Sequence, residues 1–521
     1  MKSFWLLLAA VSISGVKGQE IEWERSYGGK HADYLSDVIA TPDYGFILAG
    51  SSSSGKNGNK EDRNEGNLDY WLWKMNEKGN LEWQKSFGGS GNDMLKLVRS
   101  TADGGFIMAG DSNSPKSDYK RDDSRGDTDF WIIKIDAGGG ETWQKNIGGN
   151  GQEKVSCLIQ TADQGYLVGG SSNSGISGDK TDASRGNMDF WIVKLDKAGK
   201  IEWQKTYGGS KLDVLNSVCK TKNGGYLLAG TSNSPISGEK NEECLGLNDY
   251  WVISVDAIGD VIWQRTIGGS GADDLTVVVP LDGGSYLLGG SSNSGAGRIK
   301  DRSSKDTDFW MLKINEYCMI IWQEVYNYGR TDVLTSIVEN KDQSLVIGGY
   351  SQSEVMGTGK KDKKGINDYI MLKTDPEGKE LWTQTVGSDG DDMLKKAIET
   401  RDGGYILGGT SNGKASRDRN TSRGGNDFWV AKIKDKQKKK QERVYIEAFP
   451  NPTNQYSNVI IGYEYSQGTC SLYDLAGRRL QSFSIQGQTI PVNLATYPVG
   501  IYLVEIATNV QTNSVKLMKA D

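Results

Sequence analysis

Short apolar runs separated by clusters of glycine, asparagine, aspartate and serine recur along the chain, and one copy shows the pattern. Asp189-Phe190-Trp191-Ile192-Val193-Lys194-Leu195 is apolar on both faces, which fits a strand covered by neighbouring sheets on both sides. A turn at Asp196 to Gly199 leads into Ile201-Glu202-Trp203-Gln204-Lys205-Thr206-Tyr207, whose alternation marks a second strand. A run from Asp213 to Val218 then reaches a turn at Asn223-Gly224-Gly225, and Tyr226 to Gly230 returns as a hairpin. No helical periodicity appears inside these units.

The unit repeats. Tryptophan of the pattern Trp-Gln-Lys-x-aromatic-Gly-Gly stands at Trp23, Trp83, Trp143, Trp203, Trp263, Trp322 and Trp382, in steps of 60, 60, 60, 60, 59 and 60. Asp-aromatic-Trp recurs at Trp71, Trp131, Trp191, Trp251, Trp310 and Trp429, with Ile370 in the sixth place. Four antiparallel strands per unit predict radial blades around a channel, so the expected class is all-β with a seven-bladed β-propeller. The first unit begins at its Trp23 strand, and the last ends at Phe428-Trp429 with Gln441 where a further Trp would fall. One hairpin is thus split between the two ends of the repeat, and a split closing blade requires those ends to meet. Closing so long a loop costs roughly 5 kcal/mol. Burial of large side chains at roughly 2 to 3 kcal/mol each, with roughly 1 kcal/mol per ladder hydrogen bond, offsets it.

Outside the repeat, Lys2, an apolar run from Phe4 to Ile13 and a small-residue exit at Gly18 read as a signal peptide over residues 1–18. That run is shorter than the ~20 residues a spanning helix needs, and no later segment suggests a transmembrane span. Lys plus Arg (61) nearly balances Asp plus Glu (67), giving −6, so charge directs the chain neither to nucleic acid nor to anionic lipid. The five cysteines, Cys157, Cys219, Cys244, Cys318 and Cys470, share no repeat position and read as small apolar fillers, with a bridge from Cys157 to Cys219 left open.

Candidate chemistry is sparse. One carboxylate set follows the Trp strands (Asp33, Asp93, Glu153, Asp213, Asp273, Asp332, Asp392) and another opens the Asp-aromatic-Trp strands (Asp69, Asp129, Asp189, Asp249, Asp308, Asp368, Asp427). A turn or strand cap is needed in every blade, whereas a catalytic pair is needed once, so both sets read as structural. The long polar connection from Ser172 to Gly186 is expected on one face of the disc in all blades, as solvated loops or a binding surface. Calcium candidates there are Asp179, Asp182 and Asn187, although their spacing departs from the calcium-loop pattern. His31 is the sole histidine, which leaves no His-based triad or zinc site, and it reads as a surface residue. Gly88-Gly89-Ser90-Gly91 joins two strands rather than opening a helix, so it is not read as a phosphate loop.

These repeats resemble bacterial seven-bladed propeller repeats of exported proteins, over roughly Glu20 to Lys434. Asp196-x-x-Gly199-x-x-x-Trp203 is also similar to the tryptophan-docking motif of quinoprotein propellers but is one residue shorter, and no quinone is carried over. After a charged linker at 435–443, short alternating strands over 444–521 suit a small Ig-like β-sandwich. Pro450-Asn451-Pro452, Asp474-x-x-Gly477-Arg478, Gly500-Ile501-Tyr502 and Lys516-Leu517-x-Lys519 closely resemble the type A sorting domain of type IX secretion substrates from Bacteroidetes-like bacteria. The resemblance implies passage through the periplasm, removal of this domain by the secretion machinery, and release or surface attachment. The expectation is therefore a non-enzymatic secreted or cell-surface disc, 19–434, that binds a glycan or protein without a cofactor, calcium apart. The competing expectation is an extracellular polysaccharide hydrolase or lyase using channel carboxylates.

Overall fold

The computed structural model describes residues 19–295, 306–352, 366–436, 438, 445–453 and 455–520. The signal-peptide segment and most of the charged linker lie outside them. Every regular element among the described residues is a β-strand.

Among the described residues, the repeat region folds into seven four-stranded antiparallel sheets. The fourth runs from an inner strand, Asp213–Lys220, through Tyr226–Ser232 and Asp249–Val255 to an outer strand, Val261–Ile267. The inner strands, each opened by a carboxylate of the first set or by the residue before it, pack side by side in a closed circuit, with Asp392–Glu399 returning onto Asp33–Ala40. The arrangement is propeller-like. The seventh sheet draws three strands from the end of the repeat and its outer strand, Glu20–Tyr27, from the beginning: Trp23 pairs with Lys432 and Tyr27 with Phe428.

The third strand of each sheet carries the packing. Trp71, Trp131, Trp191, Trp251, Trp310 and Trp429 are at most 1% exposed. The aromatic residue before each Trp packs on the Trp of the next sheet: Tyr70 on Trp131 at 4.8 Å between centroids, Phe190 on Trp251 at 4.8 Å, and Phe428 on Trp71 at 4.8 Å across the closing junction. The wheel is interrupted once. Ile370 occupies the sixth place, and there Phe309 meets Tyr328 edge-on at 6.1 Å instead. Glycine in the second strand makes room, since a Cβ on Gly50 would stand 2.1 Å from the Tyr34 carbonyl and 2.7 Å from the Phe428 ring.

The repeated glutamine after the outer-strand Trp has a specific task. The Trp191 indole N–H donates to Gln204 Oε1 at 3.0 Å, and Gln204 Nε2 donates to the Asp179 carbonyl at 2.6 Å, joining core to loop. In the closing sheet Glu24 replaces glutamine and accepts from Trp429 Nε1 at 2.9 Å and Asn420 Nδ2 at 2.7 Å. Most outer-strand tryptophans are less important to the core than their periodicity suggests: Trp23 is only half-buried and its buried Nε1 has no partner, whereas Trp382 alone of the series is buried. The thiols of Cys157 and Cys219 are both free and lie in different core clusters, which removes the bridge left open above.

Beyond the repeat, Ile446–Phe449, Tyr456–Ile461 and Thr489–Asn493 form one sheet, and Arg479–Ile485, Gly468–Asp474, Gly500–Thr508 and Thr512–Lys519 form another. Both contribute to one core that includes Val459, Val492, Leu472, Val504 and Leu517.

Because Trp429 is fully buried against its neighbours, Trp429→Ala should cost about 3 to 5 kcal/mol, and Trp23→Ala distinctly less. Urea unfolding of the two variants measures the difference; equal losses would contradict the wheel as the main packing element.

Candidate functional site

The two carboxylate sets meet in pairs. Asp249 ends one sheet's polar connection and Asp273 opens the next sheet's inner strand, and both converge on Gly268, where a Cβ would stand 1.9 Å from Asp249 Oδ1 and 2.9 Å from Asp273 Oδ2. Each inner-strand carboxylate is buried and staples two loops. Gly269 N–H donates to Asp273 Oδ2 at 2.6 Å, and Ser294 Oγ donates to the same oxygen at 2.8 Å. Glu153 takes Gly149 N–H at 2.9 Å, Ser172 Oγ at 2.7 Å and Ser174 Oγ at 2.5 Å.

Most of their partners on the third strands keep one oxygen without a hydrogen bond, as at Asp69 Oδ1, Asp189 Oδ1 and Asp249 Oδ1, whereas both oxygens of Asp368 accept from Arg417 at 3.1 Å. Burial, with the Asp213 carboxylate adding to it against the Arg185 N–H, pushes Asp189 up to about 6. Burial and Asp93 push Asp69 up to about 6 in the same way, against the Glu65 N–H.

A buried cation completes the arrangement. Lys60, Lys120, Lys180 and Lys240 are at most 2% exposed, at a step of 60 in the polar connections. Lys180 Nζ donates to Thr206 Oγ1 at 2.7 Å and lies 5.2 Å from the Trp191 ring centroid. Burial pushes Lys180 down to about 8 against the pull of Asp189 and Glu153. In the seventh sheet Arg419 takes this place, donating to Asp427 Oδ2 at 2.5 Å and Ser411 Oγ at 2.6 Å. The connection expected to be a solvated loop is therefore anchored from beneath, with Asn173, Ile176 and Asn187 exposed above. The lysine series was legible as a period of 60, yet hydropathy places lysine in solvent and hides its role.

The calcium candidates have other neighbours. Asp179 pairs with Arg125, Asp182 lies 3.2 Å from Arg185 Nη2, and the Asn187 N–H donates to the Lys211 carbonyl at 2.8 Å. Among the described residues no group of three or more His, Cys, Asp or Glu is placed to hold a metal ion. His31 is exposed, and its N–H donates to Ser54 Oγ at 3.1 Å. In the Gly88–Gly91 turn, Gly89 N–H is taken by Asp93 at 2.7 Å and Gly91 N–H by Ser114 at 2.9 Å, leaving neither for a phosphate.

Most of the sorting-motif residues gather around the strand Thr512–Lys519, while Asp474, Gly477 and Arg478 form a turn at the far side of the same sheet. Asn451 Nδ2 donates to the Lys516 carbonyl at 2.7 Å and its Oδ1 accepts from Met518 N–H at 2.8 Å. Lys519 Nζ donates to the carbonyls of Leu494, Ala495 and Tyr497 at 2.8, 3.0 and 2.5 Å. Leu517 is fully buried, and Tyr502, opposite it in register, donates its hydroxyl to the Pro498 carbonyl at 2.5 Å. Asp474 caps a turn by accepting Arg478 N–H at 2.9 Å, with Gly477 at φ +79°. Pro450 and Pro452 flank Asn451, and Gly500 pairs with Lys519.

A ring of four-stranded sheets followed by a small two-sheet β unit defines the architecture. Residues 447–520 match the family described as the secretion system C-terminal sorting domain, which marks the chain for export by the type IX route, to the medium or the outer surface. Among the described residues no helix is long and apolar enough to cross a membrane. A regulatory protein, FlaEY, of Caulobacter vibrioides is 24% identical over 230 residues, which cover 42% of this chain and 24% of that protein. Among solved structures, the Pan2 WD40 domain of Neurospora crassa aligns at TM-score 0.42 and 9% identity, covering 79% of this chain and 92% of that one. A Synechocystis apocarotenoid oxygenase variant aligns at TM-score 0.38 and 10% identity, covering 80% and 94%.

Asp189 is raised above its unfolded value of about 3.9, so its protonated form stabilises the fold below that pH, and this contribution is lost as pH rises through about 6. Asp189→Asn should flatten the stability profile between those limits and raise stability at pH 7 by about 1 to 3 kcal/mol. Chemical denaturation across that range checks both; an unchanged slope would separate Asp189 from the titration.

Proposed function

We propose that this is a secreted or cell-surface binding and scaffold protein of a Bacteroidetes-like bacterium. In this reading residues 1–18 are a signal peptide, 19–434 a seven-bladed propeller with a split closing blade, 435–443 a charged linker, and 444–521 an Ig-like type A sorting domain handled by the type IX machinery. The disc presents its loop face to a glycan or a protein, with neither nucleic acid nor membrane as partner, and works without a catalytic centre.

The observation that carries this reading is the loop face itself. Loops pinned by buried Lys180 and Lys240 raise apolar tips into solvent, Ile176 at 72% exposure and Ile236 at 56%, with Leu247 at 68% beside them. Pre-ordered loops with apolar tips suit recognition, because little conformational freedom is lost when a partner docks. The repeated carboxylates supply less support for hydrolysis, since they are sealed and committed to loop backbones and serines.

Two experiments test the two halves of the proposal. Replacing the strand Val515–Lys519 should leave the protein in the periplasm; unaltered surface display would refute the sorting role. A glycan array and pull-down with the secreted protein, with and without calcium, should yield a partner whose capture falls at least about tenfold in an Ile176→Asp, Ile236→Asp double variant of unchanged melting temperature. Undiminished capture would move the binding surface elsewhere, and capture that needs calcium would assign a ligand role to Asp179, Asp182 and Asn187.

A further inference from the structure

The inner strands are not equivalent. Each carries a bulge near its middle, and in the second and seventh sheets the extra residue is a lysine, Lys96 and Lys395, where the first and fourth sheets have Ser36 and Asn216. Lys396 follows Lys395, and Arg99 lies further along the second sheet's inner strand. The first sheet stands between the second and the seventh, so all four cations lie on neighbouring inner strands that line the central channel.

Two acidic groups answer part of this charge. Arg99 Nη1 lies 2.6 Å from Asp37 Oδ2, and Lys96 Nζ lies 3.5 Å from Asp111 Oδ2. Lys395 and Lys396 have no hydrogen-bond acceptor or ion-pair partner among the described residues. Burial, then the charge of Lys96, holds Lys395 below its ordinary value. Burial does the same to Lys396, with Asp37 pulling it up and Arg99 opposing. Lys154, from the third sheet, adds another cation beside Asp111. Partly buried ammonium groups without acceptors are costly unless a counter-charge enters.

We propose that the channel holds an oxyanion group, sulfate, phosphate or carboxylate, between Lys395, Lys396, Lys96 and Arg99. The site is separate from the loop face and stands whether or not that face binds a partner. A free anion or the charged end of an acidic glycan would supply such a group.

Calorimetric titration of the full secreted chain with inorganic sulfate and phosphate supplies the free-anion arm, and a sulfated oligosaccharide and an oligogalacturonide supply the glycan-borne arm. Saturable binding is expected in at least one arm, with a raised melting temperature and an affinity that falls as salt increases. Lys395→Met and Lys396→Met should each weaken binding at least about tenfold, while Lys200→Met, on an exposed turn, leaves it intact. Without anion, the lysine variants should melt at or above the wild-type temperature, since each loses an uncompensated charge. No saturable binding of any probe, or undiminished binding in a folded Lys395→Met, Lys396→Met double variant, would overturn the proposal.

Discussion

Everything in the ring depends on one antiparallel pairing, that of Glu20–Tyr27 with Asp427–Lys434. Six sheets are each made from consecutive strands, but without this pairing the seventh would lack its outer strand and the indole of Trp429 its acceptor. Glu24 closes the circuit by accepting from Trp429 Nε1 at 2.9 Å, across 405 positions of sequence. The aromatic wheel passes through the same junction, with Phe428 seated on Trp71. Closure is therefore sealed twice, by backbone hydrogen bonds at the rim and by ring packing further in.

Much of this was legible in the sequence, and the rest was hidden for identifiable reasons. The four apolar runs in each unit announced the strands, and the tryptophan spacing the divided hairpin, because a repeat cut out of phase completes its last hairpin only where its two ends meet. The innermost strand was not legible, since both the inner and the third strands open with a carboxylate, and the unbroken apolar run of the third strand marks it as covered on both faces without saying which strand lines the channel. The role of the repeated glutamine was also unreadable, because polar residues on an outer strand normally face water, whereas Gln204 turns inward to Trp191. Lys180 illustrates a related limit: its regular spacing was visible, but only the fold shows that it sits beneath its loop between Asp189 and Glu153. In the tail, the short motifs were readable as a group, yet the clamp formed by Asn451 and Lys519 requires contacts from opposite ends of that unit.

The two faces of the ring handle charge in opposite ways. On the loop face, carboxylates crowd one another and resist ionisation. On the other, buried lysines pair with hairpin aspartates: Lys194 Nζ lies 2.8 Å from Asp163 Oδ2 and 2.7 Å from Glu202 Oε2. Although burial favours the neutral acid, Lys194 and the Thr161 hydroxyl hold Asp163 down to about 2. The first face gains from mild acidity, whereas the second keeps its ion pairs until the solution is strongly acidic.

The divided sheet also imposes an order in time. Glu20–Tyr27 is made before every other strand of the ring, yet its hydrogen-bonding partner is the last of them to be made. Until Asp427–Lys434 has been made, the earliest segment stays unpaired, with Ile21 and Trp23 lacking the neighbour that later covers them. Such long-range contacts slow the final folding step. A chain interrupted anywhere before Asp427 would keep that edge open to chaperones and proteases, making the final strand of the ring a checkpoint for completeness.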